Sequence, residues 1–281
     1  MDQSVKITDW VGRSQSATEV LSPTMVTRWA ATIGRSGPPA AQGDLAPRLS
    51  HWLHFQPAAE ADNIGPDGHP ARGGFLPPIH DLPRRMWAGS RISFPGELRL
   101  GEQAVQCSTI TDVVAREGRN GRLVFVTVRH EVGSPGAPPA IIDEQDIVYR
   151  GEGAPTVGKP AEPGAHQRQI SPDPVMLFRY SAVTFNGHRI HYDEPYVTKV
   201  EGYPGLVVHG PLVATLLLDL VERTKPGATI KAFSFRALAP FFADDALDLN
   251  ATPLPSGELE VFARNHKGHL GMKGTIAVAE T

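Results

Sequence analysis

Residues Arg179–Val221, RYSAVTFNGHRIHYDEPYVTKVEGYPGLVVHGPLVATLLLDLV, decide how the rest of the chain is read. The first part, Phe185–Asp193 (FNGHRIHYD), concentrates polar and titratable side chains. The second opens on the turn residues Gly202-Tyr203-Pro204-Gly205 and runs through His209-Gly210-Pro211 into the apolar segment Leu212–Val221. A Gly-Pro pair ahead of an apolar run marks a helix start, because proline lacks the N–H that the first turn leaves unpaired anyway. Such a start presents free N–H donors and a partial positive charge. A histidine base and an oxyanion-binding helix start therefore fall in one short stretch, ahead of a helix that reads as buried.

Outward from this stretch, Pro174–Ala182 leads into it and four strand-like segments follow it: Thr229–Ala237, Ala246–Pro253, Leu259–His266 and Gly271–Ala279. They alternate apolar and polar residues, and Pro255-Ser256-Gly257 and Asn265-His266-Lys267-Gly268 supply turns between them. Upstream, Gly151–Pro174 reads as a proline-rich linker. Before it lie Arg91–Phe94, Gln103–Arg116, Leu123–Val132 and Ala140–Tyr149, again strand-like, with Asn120-Gly121 signalling a hairpin. Near the start, Ala17–Val20 looks helical. Ser22-Pro23 caps a helix over Thr24–Ile33 that Gly34 ends. Trp52–Phe55 suggests a short strand or turn edge, and Asn63–Pro83 a loop long enough to be functional. Each half thus runs from a helical part into about four strands. The expected division is 1–150, a linker over 151–174, and 175–281. Nothing in 1–150 repeats the histidine pattern, so the second half should hold the site and the first should shape the pocket.

The 281 residues carry a net charge of -3, which argues against general affinity for nucleic acid or membranes. A single cysteine, Cys107, excludes an internal disulfide and a thiolate metal cage, and reads as a small core or sheet residue. No signal-like block opens the chain and no apolar run reaches bilayer length, so a cytoplasmic protein is expected.

The order of Asn186, His191 and His209-Gly210 resembles the MaoC-like, or hydratase-2, enoyl-thioester hydratases and dehydratases. His191 falls on that family's catalytic histidine and Asn186 on its catalytic aspartate; His209-Gly210 falls on the His-Gly pair before the helix. Phe185, Asn186, His188 and Arg189 depart from the family's Gly, Asp, Asn and Pro. The variant FNGHRIHYD, with Phe75-Leu76-Pro77-Pro78 and Arg84-Arg85-Met86-Trp87-Ala88-Gly89, is similar to the branch of mesaconyl-C4-CoA and itaconyl-CoA hydratases. The resemblance implies an α+β double hotdog, two units each of a helix wrapped by an antiparallel sheet. It implies an acyl-CoA substrate and no cofactor, coenzyme A being part of the substrate; a homodimer stays open. A fatty 3-hydroxyacyl-thioester dehydratase, a hotdog thioesterase and a non-catalytic acyl-CoA-binding module are the alternatives.

Hydration of an enoyl thioester needs a base for water, an acid for the alpha carbon, and donors for the enolate oxygen. The resemblance gives His191 the first task and the N–H of Gly210 the third. An amide cannot shuttle a proton, so Asn186 is expected to position water; His188 and Asp193 are the nearest substitutes, and His209 is expected to be structural. His188-x-x-His191 with Asp193 has metal-ligand atoms but no second cluster, so no metal is expected. Arg84 and Arg85 are candidates for the coenzyme tail, ahead of Arg91, Arg236 and Lys267. Arg189 and Tyr180 are candidates for a free carboxylate of the substrate.

Overall fold

The computed structural model describes residues 6–118, 121–153 and 156–279. The first half runs β1 (Ser14–Val20), α1 (Pro23–Thr32), β2 (Arg84–Ser93), β3 (Gln103–Gly118), β4 (Gly121–Gly133) and β5 (Ile141–Arg150). The second runs β6 (His166–Ile170), α2 (Pro174–Val183), α3 (Glu194–Lys199), α4 (Gly210–Thr224), β7 (Thr229–Ala237), β8 (Leu247–Pro253), β9 (Leu259–Asn265) and β10 (Leu270–Ala279). Every strand pairing is antiparallel, in one sheet ordered β1-β3-β4-β5-β2-β7-β10-β9-β8-β6. The order is its own mirror about the β2–β7 seam: each half contributes the same five-strand sequence. This is the expected double hotdog, and its repeat is visible in topology where no residue identity showed it.

Two matching caps start the halves. The Ser22 hydroxyl accepts the Met25 N–H ahead of Pro23, and the Asp173 carboxylate accepts the Met176 N–H ahead of Pro174. Each satisfies a donor that the first turn leaves free. The two helices pack on each other. The halves then diverge. Between α2 and β7 the second half builds the 15-residue α4, which lies on β6, β8, β9 and β10 with Leu212, Leu216 and Leu217 wholly buried. Each such leucine contributes about 1.5–3 kcal/mol of burial. In the same interval the first half has only the 3-10 turns Ser50–Leu53 and Ala61–Asn63 and a long loop.

Asp219 of α4 is 1% exposed and is held by Arg35 (Nε–Oδ1 2.6 Å), Arg223 (2.7 Å) and Arg168 of β6. A buried carboxylate needs such pairing, and Arg35, just beyond α1, ties the two halves together through it. Across the β2–β7 seam Trp87 packs on Trp52 (centroids 4.9 Å) and both face Phe235 of β7.

Several expectations are corrected. Ala17–Val20 belongs to β1, not a helix, and Trp52 sits in a 3-10 turn, not a strand. The segment 151–174 contains β6, which completes the sheet, so it is not wholly a linker. Cys107 lies in β3 as expected of a sheet residue but is exposed. Gly118 pairs with Gly121 as the hairpin expectation requires, while Arg119 and Asn120 lie outside the described residues. Among the described residues, no helix is long and apolar enough to cross a membrane.

Candidate active site

The motif does not run extended. After α2 the chain turns at Phe185, which takes a left-handed φ of 49°, and Asn186 closes a local turn by accepting the His188 N–H at 2.9 Å. A 3-10 turn over Arg189–His191 follows, then α3, capped by Asp193. This brings Asn186, His188 and His191 to one place. Gly187 also permits a close approach: a Cβ there would stand 2.7 Å from the Gly68 carbonyl oxygen, and one on Gly68 2.0 Å from that of Gly187. Two bare backbones are therefore required where the loop 65–70 of the first half lies on the motif. The Arg189 N–H donates to the Asp67 carbonyl (2.9 Å) across this contact.

His191 is buried. Its Nδ1 lies 2.7 Å from the Val207 carbonyl, so Nδ1 carries the proton and Nε2 presents a lone pair. Burial, then the neighbouring His188, holds its pKa well below the usual histidine value, against the Val207 bond that favours the cation. It is neutral and basic near pH 7. His209 stacks on it, centroids 3.6 Å apart and planes 18° from parallel. His209 is wholly buried, and its Nε2 meets the Ser181 hydroxyl at 2.8 Å while its Nδ1 has no partner. Burial and His191 lower its pKa too. His209 is also the residue before α4, so the base lies one stacking distance from the helix start. Gly210, half-buried, opens that helix, and a Cβ added to it would meet only Met272 Cε, at 4.0 Å. There is open space at its Cα, at the start of the helix.

His188 stands edge-on to His191 (5.4 Å) and on its other side meets His69 (4.1 Å), from the 65–70 loop. Burial and His69 lower the His188 pKa to about 2. His69 Nδ1 lies 3.3 Å from Asp67 Oδ2. Burial lowers the His69 pKa, with Arg85 and Arg72 adding to the shift and Asp67 opposing it. The Asp67 carboxyl stays far below the usual range: burial opposes its ionisation, and the bonds from His69 outweigh that. The first half is thus more than a scaffold. The trio expected as a metal candidate does not form, since Asp193 is engaged elsewhere; instead Asp67, His69 and His188 bring ligand atoms within 4.8 Å of one another. These three are the residues that could hold a cation, although Arg85 and Arg72 impose their charge on the same spot.

The other expected residues separate cleanly. Arg189 is tied to Asp193 (2.8 and 3.0 Å), to the Pro66 carbonyl, and lies 4.1 Å over the Tyr196 ring. Asp193 also accepts the Tyr196 N–H. Both form a clip that holds the motif, not a proton or carboxylate site. Arg84 is spent on Glu201 and the Gly153 carbonyl, over Tyr203. Tyr180 is buried behind His209 (5.0 Å), its hydroxyl without a hydrogen-bond partner, so it backs the base. Arg91 pairs with Asp146 and Glu144, and Arg236 and Lys267 are exposed. Sequence reasoning missed Asp67 and His69; the long glycine-rich loop was the only signal.

Comparison with known proteins agrees with this geometry. Residues 49–243 match the family of hydroxyacyl-thioester dehydratase type 2. The chain is 43% identical over 274 residues to the mesaconyl-C(4)-CoA hydratase of Chloroflexus aurantiacus, covering 95% of this chain and 96% of that protein. It is 27% identical over 224 residues to the mitochondrial hydroxyacyl-thioester dehydratase type 2 of Schizosaccharomyces pombe, covering 70% and 74%. Among solved structures, HtdX of Mycobacterium tuberculosis superposes with a TM-score of 0.67 at 19% identity, over 94% of this chain and all of that one. A second mycobacterial protein, described as a double hotdog, gives 0.59 at 14%, over 96% of each chain. The chain belongs to the hydroxyacyl-thioester dehydratase type 2 family.

Proposed function

We propose that this hydro-lyase adds water to a branched C5 dicarboxylyl enoyl-CoA, with mesaconyl-C4-CoA or itaconyl-CoA as substrate and citramalyl-CoA as product. The observation that carries the proposal is the neutral His191 with its free Nε2, stacked on the residue before the Gly210 helix start. The extent of the 43% identity supports the choice of acyl group. On mesaconyl-C4-CoA, whose double bond is conjugated with the thioester, His191 Nε2 takes a proton from water as the oxygen bonds to the beta carbon. The double-bond electrons move to the thioester oxygen, and the Gly210 N–H holds that enolate. The enolate then takes a proton at the alpha carbon from the His191 imidazolium, and the base is neutral again. Asn186 has committed its Oδ1 to the His188 N–H, which leaves its Nδ2 to donate to the water. One histidine then serves both transfers, which suits a site where the family's carboxylate is an amide. The reaction calls for no cofactor beyond the coenzyme A of the substrate. Thioesters of coenzyme A are intracellular metabolites, which favours a cytoplasmic enzyme, and a homodimer is compatible with one site per chain.

The test is loss of the enoyl-thioester absorbance with mesaconyl-C4-CoA and crotonyl-CoA, and formation of citramalyl-CoA from itaconyl-CoA, whose double bond is not conjugated with its thioester, in wild type and His191→Ala. Rapid loss with a C5 dicarboxylyl substrate, reduced about 100-fold or more in the variant, is expected. Faster turnover of crotonyl-CoA, or a variant within about threefold of wild type, would sink the assignment.

A further inference from the structure

Three of the arginines around the site each hold a carboxylate: Arg84 holds Glu201, Arg91 holds Asp146, and Arg189 holds Asp193. Arg85 meets no carboxylate at ion-pair distance among the described residues, although it is half-buried. Its place on β2 sets it opposite Tyr149 of β5. The Tyr149 hydroxyl is wholly buried; Arg85 faces it as a donor, and its own proton meets no acceptor among the described residues. The positive charge of Arg85 acts on this tyrosine and on His69 and His188 alike. Arg72 adds a second cation: it donates to the carbonyls of Ile79, Leu82 and Pro83, so its charge also lacks a carboxylate. Against these two cations stands Asp67 alone, already bonded to His69.

A buried hydroxyl proton with no acceptor, beside a half-buried guanidinium with no carboxylate, is costly to maintain. A carboxylate satisfies both, since guanidinium binds it through two parallel N–H bonds and the phenol adds a third. The position selects which anion. The His188 ring, on which the Arg85 charge acts, is 5.4 Å from His191. The diphosphate of coenzyme A is separated from the reacting double bond by the whole pantetheine arm, whereas the free carboxylate of a C5 diacid lies a few bonds from it. We infer that Arg85 and the Tyr149 hydroxyl form the receptor for the free carboxylate of the acyl group. The inference rests on the reading of the site as an enoyl-thioester hydratase, and it moves Arg85 from the coenzyme tail to the acyl end.

The experiment compares wild type, Arg85→Gln, Arg85→Lys and Tyr149→Phe. Each is assayed with mesaconyl-C4-CoA and its methyl ester, and with the same two acyl groups on N-acetylcysteamine. The readout is the ratio of kcat/KM for acid over ester. Arg85→Gln should lower this ratio about 100-fold on both carriers, equivalent to about 2.7 kcal/mol at 1.36 per decade. Arg85→Lys should restore part of it, and Tyr149→Phe should lower it about threefold to tenfold. An unchanged ratio in Arg85→Gln overturns the proposal. So does a loss seen only with coenzyme A carriers and equal for acid and ester, which would assign Arg85 to the phosphates. If wild type turns over none of these, the hydratase reading fails. The dissociation constants of methylsuccinyl-CoA and its methyl ester, which have no double bond, then decide Arg85 by the same ratio.

Discussion

Lowering the pH from 7.5 to 5.5 should weaken this fold through its histidine cluster. His191 and His209 are neutral when folded, their pKa values held below the unfolded value by burial. In the unfolded chain each titrates near 6.5. The unfolded state therefore takes up protons that the folded state refuses, so stability is present above about pH 6.5 and lost as pH falls below it. At pH 5.5 each histidine that stays neutral costs about 1.4 kcal/mol relative to pH 7.5. The two fully buried rings together cost about 3 kcal/mol. His69 and His188 act in the same direction, and being partly exposed they add roughly 1 kcal/mol more. Asp67 and Asp146, with lowered carboxyl pKa values, contribute only below about pH 4, outside this window. Urea denaturation at the two pH values measures the difference. His209→Asn, which keeps a polar partner for Ser181, should reduce it by about 1.4 kcal/mol. A fold equally stable at both pH values, or the same difference in His209→Asn, would refute the neutral-cluster reasoning.

Other expectations follow from the same geometry. Because His191 is already deprotonated, kcat/KM should stay flat from pH 8 through about 6.5, without the inflection of an ordinary histidine. Gly210→Ala should leave the melting temperature nearly unchanged, since the added methyl meets only Met272, yet lower kcat/KM at least about tenfold by filling the space beside the oxyanion donor. Arg189→Ala should leave the acid-over-ester preference intact and reduce stability slightly, because the Arg189–Asp193 pair is partly open to solvent; a lost preference would return Arg189 to the substrate. Gly68→Ala should lower activity, seen as a raised KM, because the added methyl pushes the loop that carries Asp67 and His69 off the Gly187 carbonyl.

The strands of the second half were legible nearly to the residue because β7 alternates buried and less buried positions and β8 to β10 are apolar runs set off by turn residues. The strands missed were β1 and β6, the two outer edges of the sheet. β1 is exposed along its whole length and β6 is polar, so neither shows the alternation that burial imprints. Helix starts were readable at Ser22-Pro23 and Gly210-Pro211 since a cap is a local device. The site divided the same way. His191, His209 and Gly210 are close in sequence and could be found there. The loop that completes the site arrives across a separation of 123 residues between Pro66 and Arg189, and no local pattern announces such a contact. The Arg189–Asp193 clip was within reach, as opposite charges four apart on a short helical segment pair with each other.

The crossing of bare backbones at Gly68 and Gly187 joins two inventories that descend from different halves of the chain. On the proposed reading the base, its stacked partner and the oxyanion donor all belong to the later half, and the groups proposed to meet the far end of the acyl chain belong to the earlier one. Substitutions in the earlier half can therefore change which acyl groups are accepted while the bond-making apparatus stays as it is. A lineage of such enzymes can diversify its diet without relearning its chemistry, and an engineer seeking a new substrate should begin with the loop before β2.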